Sequence, residues 1–153
     1  MPQIELKTTI KSPIKKVFDA TRSVDLHLAS ALPTQEEAIA GRTTGMLKLG
    51  EQTRWRAKHF GIWLELEVAI TQMREPDLFV DEMVEGNFKF MRHTHQFERV
   101  ADDHTLMTDI FDFESPYGLV GRMVDRWILK EYLTHFLRTR NQFLKKYLEQ
   151  GNL

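Results

Sequence analysis

The chain has no cysteine among its 153 residues, which excludes disulfides, thiolate zinc sites and cysteine nucleophiles. Its formal net charge is only −1, so it offers no basic surface for nucleic acid. No apolar run approaches the ~18 residues of a membrane span, and stable membrane insertion is therefore not expected. The N-terminal residues lack the charged-then-apolar pattern of a signal peptide. These absences predict a cytoplasmic protein.

The composition is that of an ordinary globular protein, with 42% hydrophobic and 28% charged residues. No repeat, low-complexity tract or linker divides the sequence, and its length suffices for one substantial core. We therefore expect a single domain over residues 1–153.

Alternation of apolar and charged residues predicts a meander of strands that is covered on one side only. Residues 55–59 and 62–68 flank a turn at 60–61, and pairing His59 with Ile62 places their apolar side chains on one face. Cross-strand neighbours on the opposite face then carry opposite charges, which supports this register.

A second hairpin is predicted over residues 78–100. Pairing Glu85 with Phe88 sets Asp81 opposite Arg92 on the outer face. The inner face then receives Leu78, Val80, Met91, His93, His95 and Phe97. Phe88, Phe90 and Thr94 share the outer face, and their exposure would favour a homodimer.

Helices are expected at both ends of the sequence. Two short ones follow a first strand at residues 4–10: one begins after the Ser12-Pro13 pair, and one runs from Val24 to Leu32. The segment 117–149 contains no proline and predicts a long helix. It carries two apolar stripes, about half a turn apart, and therefore predicts a kink or break near Ile128-Leu129.

The order strand, two short helices, meander and long helix resembles the helix-grip fold. The chain resembles the polyketide cyclase/dehydrase branch of the START and Bet v 1-like superfamily over essentially its full length, and in particular small bacterial proteins of that branch. The segments that carry the resemblance are 53–61, 79–86, 93–97, 105–109 and 116–118. It implies an α+β fold in which a curved antiparallel sheet of six to seven strands grips the long C-terminal helix. It also implies a cavity for a lipid, a quinone or an aromatic polyketide-like molecule.

Ionisable side chains fall on the covered face of this sheet. His93 and His95 share a strand face, and Asp109 on the next strand is predicted opposite His95. Buried without partners these groups would cost several kcal/mol, so we expect them to be paired with one another or with water. One interpretation is a structural polar cluster, and another is a pocket whose few polar groups orient an apolar guest.

The ligand-binding interpretation names a set of inward-facing residues. They are Trp55, His59, Leu66, Met91, His93, His95, Phe97, Met107, Asp109, Phe111 and Trp127. Arg140 falls within the apolar stripe of the last helix. It either extends to solvent at the helix end, reaches into the cavity or meets a carboxylate such as Glu82.

An enzymatic alternative uses the same cluster. His95 and Asp109 would form a general-base pair of a cyclase or dehydratase, with Tyr117 or His93 as the acid. A metal site from the two histidines and Asp109 is a third interpretation, but the ligand spacing is not dense enough to predict one. No metal and no cofactor is therefore predicted.

Overall fold

The computed structural model describes residues 2–150. Its centre is a seven-stranded antiparallel sheet in the order β1-β7-β6-β5-β4-β3-β2. The strands are β1 (Gln3–Ile10), β2 (Glu37–Gly41), β3 (Gln52–His59), β4 (Ile62–Arg74), β5 (Leu78–Glu85), β6 (Phe90–Ala101) and β7 (His104–Glu114). Alternate residues of β3, β6 and β7 are buried, as the period-two pattern predicts.

Two short helices, α1 (Ile14–Thr21) and α2 (Val24–Ser30), connect β1 to β2, followed by a 3-10 turn at Leu32–Thr34. The hydroxyl of Ser23 accepts a hydrogen bond from the backbone N–H of Leu26 and so caps α2. Both helices occur where the sequence predicts them, and α2 ends two residues earlier than expected.

The C-terminal segment consists of α3 (Gly118–Val124), a π turn (Asp125–Leu129) and α4 (Lys130–Glu149). The π turn lies at the predicted break. It rotates the face of α3 relative to α4, because each π turn contains more residues than an α turn. The sheet closes over α4, whose buried side chains are Leu137, Arg140, Asn141, Leu144 and Leu148. This arrangement confirms the α+β helix-grip fold.

The expectation that Trp127 points inward is wrong: 70% of its surface is exposed. The inner face of this segment instead carries Gly121 and Asp125, which are buried. Asp125 accepts hydrogen bonds from the backbone N–H and the hydroxyl of Ser115 at the end of β7. Anchored in this way, the segment turns its apolar stripe away from the sheet.

The predicted register of β5 and β6 is also wrong, by one residue. Asp81 pairs with His93, and Glu82 pairs with Arg92. Because side chains alternate across a strand, this slip transfers Asp81 from the outer face to the inner one. Phe88 lies in the loop before β6.

The slip also changes which apolar side chains lie inside. Phe88 packs against Phe111 and Phe113 rather than on the outer face. Phe79, and not the expected Leu78 and Val80, contributes to the inner surface of β5. Phe88 therefore no longer supports the homodimer prediction.

Among residues 2–150, no helix is both long and apolar enough to cross a membrane.

Candidate functional site

A cavity of about 260 Å³ lies between the sheet and α4. Its apolar walls come from both sides. From the strands they include Trp55, Ala57, Leu64, Leu66, Val68, Phe79, Met91 and Phe111, and from the C-terminal segment Leu129, Leu133, Phe136 and Leu137. Polar side chains also line the cavity, but most of its surface is apolar, which is the usual composition of a small-molecule pocket.

Seven of the eleven predicted ligand-binding residues line this cavity: Trp55, His59, Leu66, Met91, His93, His95 and Phe111. Phe97, Met107 and Asp109 are buried but do not line it. Helix α1 fills that end of the sheet, since Phe18 packs edge-on against Phe97 with ring centroids 5.4 Å apart. Trp127 lies outside, in the exposed stripe.

Asp109 is fully buried and is the centre of a polar cluster beneath the cavity. Its Oδ1 lies 2.8 Å from Nε2 of His93 and accepts a hydrogen bond from Nη2 of Arg140 at 3.1 Å. Its Oδ2 accepts a hydrogen bond from the side-chain amide of Asn141 at 2.7 Å. These three partners hold the Asp109 carboxylate in place, so its buried negative charge is both paired and hydrogen-bonded.

Asp81 also belongs to the cluster and, like Asn141, was not predicted as a member of it. Its Oδ1 lies 3.2 Å from Nε2 of His95 and 4.0 Å from Nδ1 of His93. The second nitrogen of His95, Nδ1, lies 3.4 Å from Oδ1 of Asp109, an ion-pair contact rather than a hydrogen bond. The two imidazoles are stacked with centroids 3.8 Å apart, and Phe79 stacks on the outer side of His95.

This packing gives the two histidines different proton affinities. Burial, together with repulsion from His95, lowers the pKa of His93 to about 4. Burial also opposes charge on His95, but its hydrogen bond to Asp81 and its attraction to the carboxylates of Asp109 and Asp81 outweigh burial and raise its pKa above the ordinary value. The pKa of Asp109 is held well below its ordinary value against the effect of burial, chiefly by its histidine partners. These contacts favour charge on His95 and disfavour it on His93, beside the carboxylates of Asp81 and Asp109 and the guanidinium of Arg140.

Arg140 reaches into the cavity and meets a carboxylate, as two of the expectations state, but the carboxylate is Asp109 rather than Glu82, and the expected extension to solvent is wrong. Only 7% of its surface is exposed, and it also lines the cavity. Its Nε has no hydrogen-bond partner among the described residues. Tyr117, a predicted acid, is 72% exposed and does not line the cavity.

Two further polar pairs, His27 with Glu36 and His59 with Tyr132, lie on the cavity wall. Nε2 of His27 lies 2.6 Å from a carboxylate oxygen of Glu36, and the His27 ring stacks on Trp55. Nδ1 of His59 lies 2.6 Å from the hydroxyl of Tyr132. Burial lowers the pKa of His59 and raises that of Tyr132, which favours the neutral form of both side chains.

Comparison with solved structures identifies this architecture in other proteins. A protein from Thermus thermophilus superposes with a TM-score of 0.79 at 13% identity, covering 99% of this chain and 100% of the other. A START superfamily protein from Mycobacterium smegmatis gives 0.74 at 14% identity, with 97% of each chain covered. The major latex-like protein 151 of Panax ginseng gives 0.68 at 17% identity, covering 96% and 97%.

No protein-family model and no curated protein matches the sequence. At these identities the structural likeness concerns the fold and not the activity. The chain has the helix-grip fold of the START and Bet v 1-like superfamily.

Proposed function

We propose that the protein binds a hydrophobic small molecule in the cavity between the sheet and α4. The observation that carries the proposal is the cavity itself: about 260 Å³ of space with mainly apolar walls and a few convergent polar groups. Proteins of this superfamily typically bind hydrophobic ligands, which supports the proposal at the level of the fold.

The volume and the walls indicate the class of guest. An engineered apolar cavity of about 150 Å³ binds benzene, so a larger cavity accommodates a one- or two-ring aromatic molecule without expanding. Trp55 and Phe111 provide ring faces and edges for such a guest. The polar groups at His93 and His95 suit a guest with one or two oxygen atoms, such as a quinone, a phenol or a polyketide-like aromatic.

Native mass spectrometry of the protein purified from cells tests this proposal. We expect the native protein to carry the added mass of an organic molecule, and we expect that molecule to be released on denaturation. Leu133→Trp places a large ring where α4 faces the cavity, and it should abolish retention while far-UV circular dichroism stays unchanged. Leu119→Trp is the control, because Leu119 is exposed on α3. Retention by the Leu133→Trp variant would contradict binding in this cavity.

The alternative function is a cyclase or dehydratase that uses His95 and Asp109. His95 lines the cavity, so a guest can reach its ring, whereas Asp109 lies behind the rings and can only orient them. The carboxylates of Asp81 and Asp109 raise the pKa of His95 and so favour its protonated form, in which the ring can donate a proton. These contacts favour an acid role for His95 over the predicted base role.

Hydrogen–deuterium exchange at the α-carbon of tetralone, a two-ring ketone, tests this alternative by NMR in D₂O. An enzyme should accelerate the exchange, and His95→Gln should lose most of the acceleration. Tyr117→Phe, at an exposed site, should keep it. If tetralone binds but exchanges no faster than in buffer alone, the protein binds the ketone without catalysing its enolisation, and the enzymatic alternative is contradicted.

A further inference from the structure

The cavity wall brings together three side chains of metal-binding type. One ligand atom from each of Asp81, His93 and His95 lies within 4.8 Å of the others. Backbone pairing fixes this arrangement, because Asp81 of β5 is directly opposite His93 of β6, and His95 follows on the same strand face. From this geometry we propose that Asp81, His93 and His95 bind a divalent first-row transition ion such as Zn²⁺.

The interatomic distances are close to those of a coordination sphere. Ligand atoms 2.0–2.2 Å from a tetrahedral zinc ion lie about 3.4 Å from one another. Oδ1 of Asp81 is 3.2 Å from Nε2 of His95 and 4.0 Å from Nδ1 of His93. All three ligand atoms lie within 4.8 Å of one another, so small side-chain rotations that draw them together complete the set.

Asp109 occupies the position of an outer partner that orients metal-bound imidazoles. It contacts the opposite nitrogen of each ring, Nε2 of His93 at 2.8 Å and Nδ1 of His95 at 3.4 Å. Metal-ligating histidines usually donate their other ring N–H to a carboxylate, which fixes the tautomer and the ring plane. Arg140 and Asn141 hold that carboxylate in turn.

The donor set and the charges agree with this assignment. Two imidazoles and one carboxylate suit zinc, nickel, cobalt or iron, and the three residues line the cavity, so a further coordination position faces it. With both imidazoles neutral, the two carboxylates and Arg140 carry a net charge of −1. A bound divalent ion makes this +1, which an anionic oxygen of a cavity guest balances.

Calorimetric titration of untagged, chelator-treated protein with Zn²⁺ alone tests the site. We expect one tightly bound ion per chain. His95→Gln and Asp81→Asn should each weaken binding at least tenfold. His104→Gln is the matched control, since His104 forms an exposed histidine–carboxylate pair with Asp103 and should have no effect.

A measurement on the wild-type protein keeps the test decisive if a variant folds poorly. Co²⁺-substituted wild-type protein should show paramagnetically shifted imidazole N–H protons from two histidines. Asp109→Asn changes a positioning residue and removes no ligand, so it should weaken Zn²⁺ binding 10–100-fold. It should also change the chemical shift of the paramagnetically shifted N–H proton of His93. Absence of saturable Zn²⁺ binding, or binding that survives both ligand substitutions, would overturn the proposal.

The metal site goes beyond the proposed function and fails separately from it. Binding of naphthol to chelator-treated protein measures the apolar cavity without any ion. Naphthol binding without Zn²⁺ binding would contradict only the metal site, and Zn²⁺ binding without naphthol binding would contradict only the apolar guest.

Discussion

Asp81 and Asp109 flank the same pair of stacked imidazoles, with Asp81 on the cavity surface and Asp109 buried behind the rings. Each histidine directs one nitrogen towards one carboxylate and the other nitrogen towards the second. The rings are therefore held in a fixed plane before any guest arrives, and this prior ordering lowers the entropic cost of binding.

The Asp109 carboxylate should be essential for stability. Asp109→Ala leaves the charge of Arg140 buried without its partner, which typically costs about 3–5 kcal/mol. Urea unfolding followed by circular dichroism measures this loss. Asp103→Ala is the control: its side chain is exposed, and a change within about 0.5 kcal/mol is expected. An equally small change for Asp109→Ala would show that the buried network is not stabilising.

The two stacked histidines of the metal-free protein should titrate on opposite sides of the ordinary value of 6.5. Nitrogen-detected NMR should find His93 neutral until the pH approaches about 4, and a titration midpoint of His95 that is raised above its ordinary value. Asp81→Asn removes one attracting charge and should lower the pKa of His95. Coincident titration of the two rings would contradict the assigned contacts.

The depressed pKa of His93 has a consequence for stability. As the pH falls from 6.5 towards 4, the unfolded chain takes up a proton that buried His93 refuses, so this group destabilises the fold by up to about 3 kcal/mol. His95 acts in the opposite sense, because its raised pKa stabilises the fold at low pH. His93→Gln should therefore lose less stability than the wild type over this interval in urea unfolding. If the His93→Gln variant lost more stability than the wild type over this interval, the lowered pKa of His93 would be contradicted.

The sequence predicts the fold well because the relevant signals are local. Period-two burial in β3, β6 and β7 and the cap at Ser23 each appear within a few residues of sequence. The pairing of His95 with Asp109 also follows correctly from the turn between β6 and β7.

The sequence fails where a side chain's face depends on irregular backbone. A tight turn at residues 86–87 predicts the outer face for Asp81, whereas β6 begins only at Phe90. A one-residue slip reverses the face of a whole strand, and no composition signal reports it. The prediction for Trp127 fails for a similar reason, since the π turn changes the helical phase at the point where the two stripes meet.

The tryptophans provide a test of these placements. Trp55 is buried in the cavity wall, whereas Trp127 and Trp63 are exposed. In a Trp63→Phe background, Trp127→Phe should therefore remove most of the fluorescence that iodide quenches. Trp55→Phe should instead remove most of the change caused by naphthol. If Trp127→Phe removed none of the iodide quenching in that background, the Trp127 side chain would lie inside after all.

The central claim is that an apolar guest occupies the space between the sheet and α4. Intermolecular nuclear Overhauser effects between naphthol and the methyl groups of Met91, Ala57 and Leu133 test it most directly, because all three line the cavity. We predict contacts to these methyl groups and none to Met123, which is exposed on α3. Contacts confined to Met123 and its exposed neighbours, with none inside, would contradict the claim.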